Sequence, residues 1–99
     1  MNITEERNGG NVRLEVEGRI DGANCAEFQD RLLKSFLYSN TVTLDMEGVI
    51  QLSSAALRAL MIGKKTAESK GGSFVVLNVS PAVSDVFRVT GFDKLLDIR

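Results

Sequence analysis

The chain has 99 residues, 43% hydrophobic and 25% charged, which is typical of one soluble globular domain with a modest core. Its 12 basic and 13 acidic residues give a net charge of −1, and no basic stretch exceeds Lys64-Lys65, which argues against nucleic-acid binding. There is no histidine and only one cysteine, Cys25, so a His-dependent catalytic triad, an internal disulfide and an ordinary zinc site are excluded. We therefore expect no catalysis and no metal or organic cofactor.

The same composition bears on location. No apolar run approaches the ~20 residues that span a bilayer, and the polar start MNITEERNGG does not read as a signal peptide. A lone cysteine fits a reducing compartment. We expect a cytoplasmic protein without direct membrane insertion.

The first predicted elements form a β-hairpin. Residues 2–6 read as a short strand, and NGGN (8–11) is a hairpin turn signal. The stretch VRLEVEG (12–18) then alternates apolar and charged residues, as a half-buried antiparallel strand does.

A helix over about 24–38 follows the hairpin. Asn24 and Glu27 have the spacing of a capping box at its start. Its apolar residues recur at spacings of three and four: Cys25, Phe28, Leu32 and Phe36, with Leu33 and Leu37 widening the stripe.

Strands and helices alternate in the rest of the chain. TVTLDM (41–46) predicts a central strand, and FVVLNV (74–79) predicts a strand covered on both faces. Between them we expect a helix over about 54–69 whose inner face is formed by Leu57, Leu60, Met61 and Ala67.

The clearest local signal is SPAVSDVFRVTG. Ser80 can cap a helix there, Pro81 suits the first helical position, and Gly91 stops the helix. A short apolar tail follows, read as a turn of helix and an edge strand. The order β-β-α-β-α-β-α predicts an α/β fold in one domain, residues 1–99. Its mixed sheet of four to five strands opens with a hairpin, and helices pack on it.

This order and several phrases resemble a STAS domain, and more narrowly the small bacterial anti-sigma factor antagonists. The phrases are EGRID, LDMEGV, LSSAAL and GGSFVVLNVSPAVSDVFRVTGFDKLL, and the resemblance covers roughly residues 11–98. It implies a regulatory protein that binds an anti-sigma factor serine kinase. In that family the kinase phosphorylates a serine between the third strand and the second helix, and the phosphorylated antagonist lets its partner go.

Residue by residue, the resemblance places Ser53 on the family's aspartate, Ser54 on its phosphorylated serine and Ala56 on its glycine. It thus implies phosphorylation at Ser54. The partner-binding surface it implies consists of Asp21, Asn24, Ser53, Ser54, Ala55, Ala56, Leu57 and Arg58.

The residues themselves leave alternatives open. A serine at a helix start is most often only an N-cap, so Ser53 can cap while Ser54, one residue on, points outward. Asp21 is either a turn or capping aspartate or part of a partner surface beside Ser53 and Ser54, because the second and third strands end at the same side of a parallel pair.

Three functions remain to be compared. The first is the switched antagonist; the second is a STAS structural subunit of a transport or signalling complex, with no switch. The third, phosphotransfer on Asp45 as in a receiver domain, is disfavoured because the chain opens with a hairpin and lacks an acidic pair after a first strand. We expect a monomer or a weak dimer through the exposed hairpin edge.

Overall fold

The computed structural model describes residues 1–99 and contains five strands and four helices. The strands are β1 (Asn2–Asn8), β2 (Asn11–Ile20), β3 (Thr41–Leu52), β4 (Ser73–Leu77) and β5 (Asp97–Ile98). The helices are α1 (Cys25–Tyr38), α2 (Ser54–Ser69), α3 (Pro81–Thr90) and α4 (Phe92–Leu95).

All five strands form one mixed sheet in the order β1-β2-β3-β4-β5. β1 and β2 are antiparallel, and each later neighbour pairs in parallel. The hairpin turn lies at Gly9 and Gly10, whose φ angles of 58° and 87° are left-handed, as a two-residue hairpin turn requires. The predicted mixed sheet, opening hairpin and central third strand are confirmed.

One face of the sheet carries the core. The side chains buried on it come from alternate positions of the three central strands: Val12, Leu14 and Val16; Val42, Leu44 and Met46; Phe74 and Val76. On the opposite face Val75 and Leu77 are only partly buried. The prediction that the fourth strand is covered on both faces is therefore wrong, because its second face stays partly open beside Thr43.

The predicted inner face of α1 is confirmed, except that Leu37 is 78% exposed. In α2 the residues that face the core are smaller than predicted: Ala56, Ala59, Leu60, Gly63 and Ala67 are buried, whereas Leu57 and Met61 are only partly so. The reason is the close approach of the two helices, since a Cβ atom at Gly63 would lie 2.8 Å from Cδ2 of Leu32.

β3 is longer than the sequence pattern predicted, and this length positions its end. From Val12 to Ile20 β2 advances eight residues, while from Val42 to Leu52 β3 advances ten. The difference is taken up by two bulges, opposite Glu15–Glu17 and Gly18–Arg19. As a result Ile20 and Leu52 pair, and the two strands end side by side.

Candidate functional site

The junction between β3 and α2 is built around Ser53. Its hydroxyl accepts a hydrogen bond from the Ala56 N–H (3.2 Å), which is an N-cap. Its own N–H donates to the Ile20 carbonyl (2.9 Å), which ties the start of α2 to the end of β2. The prediction that Ser53 caps the helix is confirmed.

Ser54 is placed quite differently. It is the first residue of α2, it is exposed, and the capping hydrogen bond is made by Ser53 instead. The first N–H groups of a helix have no intrahelical acceptor and carry partial positive charge. The Ser54 hydroxyl is therefore accessible to solvent at a point where added negative charge is stabilised.

The loop after β2 is held by Asp21 and Asn24. Oδ1 of Asp21 accepts from the N–H groups of Ala23 (2.9 Å) and Asn24 (3.2 Å). The Asn24 side chain accepts from the Asp21 N–H (2.9 Å) and donates to the Arg19 carbonyl (2.9 Å). The turn role for Asp21 is thus confirmed.

The predicted capping box at α1 is wrong. Asn24 occupies the N-cap position, but its side chain makes no cap hydrogen bond to the helix. Its amide is instead oriented toward the preceding loop by its hydrogen bonds with the Asp21 N–H and the Arg19 carbonyl.

The structure brings the two predicted segments together, because Ser53 bonds to the residue directly before Asp21. Most of the predicted partner-binding residues are partly or fully exposed there: Asp21, Asn24, Ser53, Ser54, Ala55, Leu57 and Arg58. Ala56 differs, because it is 0% exposed and belongs to the core. For Ala56 the prediction of partner contact is wrong. Ile50, on the last part of β3, has a large apolar side chain that is 64% exposed.

The start of α2 has no negatively charged side chain, and this determines the electrostatics of the junction. No acidic residue stands in its first turn, and exposed Arg58 makes no ion pair with a carboxylate of the chain. The charge of Arg58 reaches the start of α1: burial raises the pKa of the Cys25 thiol, and the Arg58 guanidinium lowers it to a smaller extent. The part of α2 around Ser54 therefore contributes no negative charge to the surface.

A second polar cluster was not foreseen as a unit. Asp45 is only 5% exposed, and its carboxylate pairs with the Arg13 guanidinium and accepts from Nδ2 of Asn78 (3.2 Å) and the N–H of Glu47 (2.9 Å). Asn78 has a left-handed φ of 58°. The sequence could have indicated this cluster through the alternation of β3. That alternation places Asp45 on the same face of the sheet as Thr43, next to β2. The cluster joins β2, β3 and the segment before α3.

None of the four helices combines the length and the apolar character that crossing a bilayer requires.

Comparison with known proteins gives a consistent result. The model of a family described as "Mlab, STAS domain" matches residues 3–97. The anti-sigma-B factor antagonist of Bacillus subtilis is 20% identical over 98 residues, which cover 99% of this chain and 90% of that protein.

Solved structures agree in fold. An anti-sigma factor antagonist from Mycobacterium paratuberculosis superposes with a TM-score of 0.86 at 21% identity, covering 98% of this chain and 83% of that one. The anti-sigma factor antagonist SpoIIAA, solved in its unphosphorylated form, gives a TM-score of 0.78 at 16% identity, covering 99% of this chain and 87% of that one. The phosphorylated form of SpoIIAA, from Bacillus, gives 0.77 at 16% identity, covering 99% and 91%.

Proposed function

This chain belongs to the STAS domain family, and from that premise we propose that it is a regulatory binding module of the anti-sigma factor antagonist type. Its partner would be an anti-sigma factor that is also a serine kinase. The unmodified chain would bind this partner through the Asp21 loop and the start of α2. Phosphorylation at Ser54 would end the interaction.

The observation that supports this proposal is that two adjacent serines have different roles: Ser53 caps α2, and the hydroxyl of Ser54 is exposed. Ser53 makes the cap hydrogen bond, so the helix does not depend on the hydroxyl of Ser54. A kinase can therefore transfer the γ-phosphoryl group of ATP to the Ser54 oxygen, with loss of the hydroxyl proton and release of ADP, without removing the N-cap. The phosphate would be stabilised by the helix N-terminus.

The effect on binding follows from charge. A phosphoserine adds about −1.5 to −2 charges at pH 7. On a contact surface that has no acidic residue in the first turn of α2, such a group causes repulsion from an acidic partner and costs desolvation. Phosphorylation would thus change binding while the fold stays intact.

Two residues that depart from the family pattern fit the same local structure. Ser53 stands where the family has an aspartate, and it accepts the Ala56 N–H as an aspartate at an N-cap would. Ala56 stands where the family has a glycine, and its methyl group lies in the core within regular helix. The substitutions remove a carboxylate from the surface but keep the cap and the helix.

The test is to incubate the chain with ATP and the serine kinase encoded beside its gene, and to locate phosphate by mass spectrometry. We expect phosphate that is lost in Ser54→Ala and kept in Ser84→Ala, another exposed serine in a helix. We also expect Ser54→Asp to bind the kinase about tenfold more weakly, or about 1.4 kcal/mol, while Ala82→Asp near the start of α3 binds as the unsubstituted chain does. Equal binding by Ser54→Asp and the unsubstituted chain would contradict the switch.

A second candidate is a structural subunit of a transport or signalling complex with no switch. It is favoured by the missing carboxylate at Ser53. A pull-down that recovers a transporter ATPase and no serine kinase, and that is unaffected by Ser54→Asp, would decide for it.

A further inference from the structure

Arg58 is a free cation one helical turn beyond Ser54. It is exposed, and none of the seven ion pairs of the chain includes it. Two other cations in or just after α2 are engaged: Lys64 pairs with Glu68, and Lys70 donates to the Phe36 carbonyl. Lys65, like Arg58, has no ion-pair partner, but it lies two turns farther from Ser54. The guanidinium of Arg58 is therefore available for another anion.

Helix geometry brings Arg58 over Ser54. Residues four apart lie on the same face of a helix, with about 5–6 Å between their Cβ atoms. Helical side chains also lean toward the N-terminus, so that of Arg58 covers the turn where Ser54 begins. The Arg58 guanidinium also lowers the pKa of the Cys25 thiol, a smaller effect than the increase caused by burial, so its charge lies within range of the start of α1.

Little competes for the guanidinium in this place. The first turn of α2 contains no acidic residue. The carboxylate of Asp21 in the neighbouring loop accepts two backbone N–H groups of its own turn at Oδ1, and it forms no ion pair with Arg58.

We propose that Arg58 pairs with the phosphate on Ser54 and thereby gives the switch a second component. The inference rests on the proposed function. In the unmodified chain Arg58 would be free to meet a carboxylate of the partner. In the modified chain its guanidinium would be bound to the phosphate, so phosphorylation would add negative charge and withdraw a positive contact in one step.

The pairing can be tested without any partner. Phosphoserine is installed at position 54 during translation, and the second pKa of its phosphate is followed by ³¹P NMR. We expect this pKa to be lower in the otherwise unsubstituted chain than in Arg58→Gln by about 0.3, as an exposed pair four residues apart gives. The difference should largely disappear at 1 M salt, where the Debye length is about 3 Å.

Lys65→Gln is the matched control, since Lys65 is an exposed cation of the same helix seven residues farther on. It should leave the phosphate pKa as in the unsubstituted chain. An equal pKa with and without Arg58, or an equal effect of Lys65→Gln, would overturn the pairing.

The outcome is separable from that of the proposed function. If no kinase binds the chain but the Arg58-dependent shift is present, the pairing stands and the partner assignment fails. If a kinase does modify Ser54 but the pKa is independent of Arg58, only the pairing is withdrawn.

Discussion

The starts of α2 and α3 use the same cap but differ in everything next to it. In both helices an extended serine accepts from the N–H three residues on, Ser53 from Ala56 at 3.2 Å and Ser80 from Val83 at 3.3 Å. The following residue is Ser54 in one case and Pro81 in the other. Proline has the φ angle that a first helical residue needs and offers no hydroxyl, so the position in α3 that corresponds to Ser54 cannot be phosphorylated.

The difference continues at the fifth residue of each helix. In α2 this is Arg58, which has no ion-pair partner, whereas in α3 it is Asp85, which pairs with Arg88 at 3.0 Å. A negative group would thus meet a free cation at one helix start and a carboxylate at the other. The capping serine stabilises the start of each helix. The residues next to it determine whether a negative group can be added there.

The two starts are also anchored by different means. α2 is joined to β2 through the hydrogen bond from the Ser53 N–H to the Ile20 carbonyl. The segment that leads into α3 is joined to the sheet through Asn78, which donates to buried Asp45. Ser53 lies eight residues beyond Asp45 in the chain, so the two anchors are at most about 26 Å apart along the strand.

The largest expected effect comes from removing the anchor of α3. Asp45→Ala leaves Arg13, Asn78 and the Glu47 N–H without their shared acceptor, and we expect it to lower the free energy of unfolding by about 2 kcal/mol in urea denaturation. Half-exposed Arg13 can be rehydrated, which keeps the loss below that of a fully buried pair.

Asp85→Ala is the control for Asp45→Ala, because it breaks an exposed ion pair of α3 and should cost no more than about 0.5 kcal/mol. If the two variants were equally stable, Asp45 would not be the anchor inferred from its contacts.

Much of this comparison could be predicted from the sequence. Ser80, Pro81 and Gly91 mark α3 by local chemistry, and its observed bounds and left-handed Gly91 agree with the prediction. The adjacency of Asp21 to the α2 start followed from strand order alone, because parallel strands end at the same side of a sheet. Signals of this kind depend on a few neighbouring residues or on topology.

What could not be predicted depends on contacts between distant segments. The two bulges of β3 leave no clear local pattern, so its length was underestimated by six residues, 46 against the observed end at 52. The inner face of α2 was assigned mostly to large residues, whereas Gly63, close to Leu32 of α1, and three alanines are buried there. Asn24 had the spacing of a cap, but the loop uses its amide instead.

The next effect is on the caps themselves. Ser53→Ala and Ser80→Ala each remove one side-chain acceptor from a first-turn N–H, and we expect each to lower the free energy of unfolding by about 1 kcal/mol. Ser54→Ala removes an exposed hydroxyl that does not cap and should change stability by less than about 0.5 kcal/mol. Urea denaturation of the three variants checks this. A loss for Ser54→Ala as large as that for Ser53→Ala would show that the two serines share the cap.

The smallest effect concerns Cys25, at the start of α1 and within the influence of Arg58. Burial raises the pKa of its thiol in the folded chain, so above about pH 8.5, the ordinary value, the unfolded chain loses a proton that the folded chain keeps. The free energy of unfolding should therefore fall as pH rises through this range, and it should fall less steeply in Cys25→Ala. Comparing the two chains at each pH cancels the other titrating groups.

Because Arg58 lowers this pKa, Arg58→Gln should steepen the fall, and only when Cys25 is present. An equal slope in Arg58→Gln and the unsubstituted chain would mean that the charge of Arg58 is not held near the start of α1.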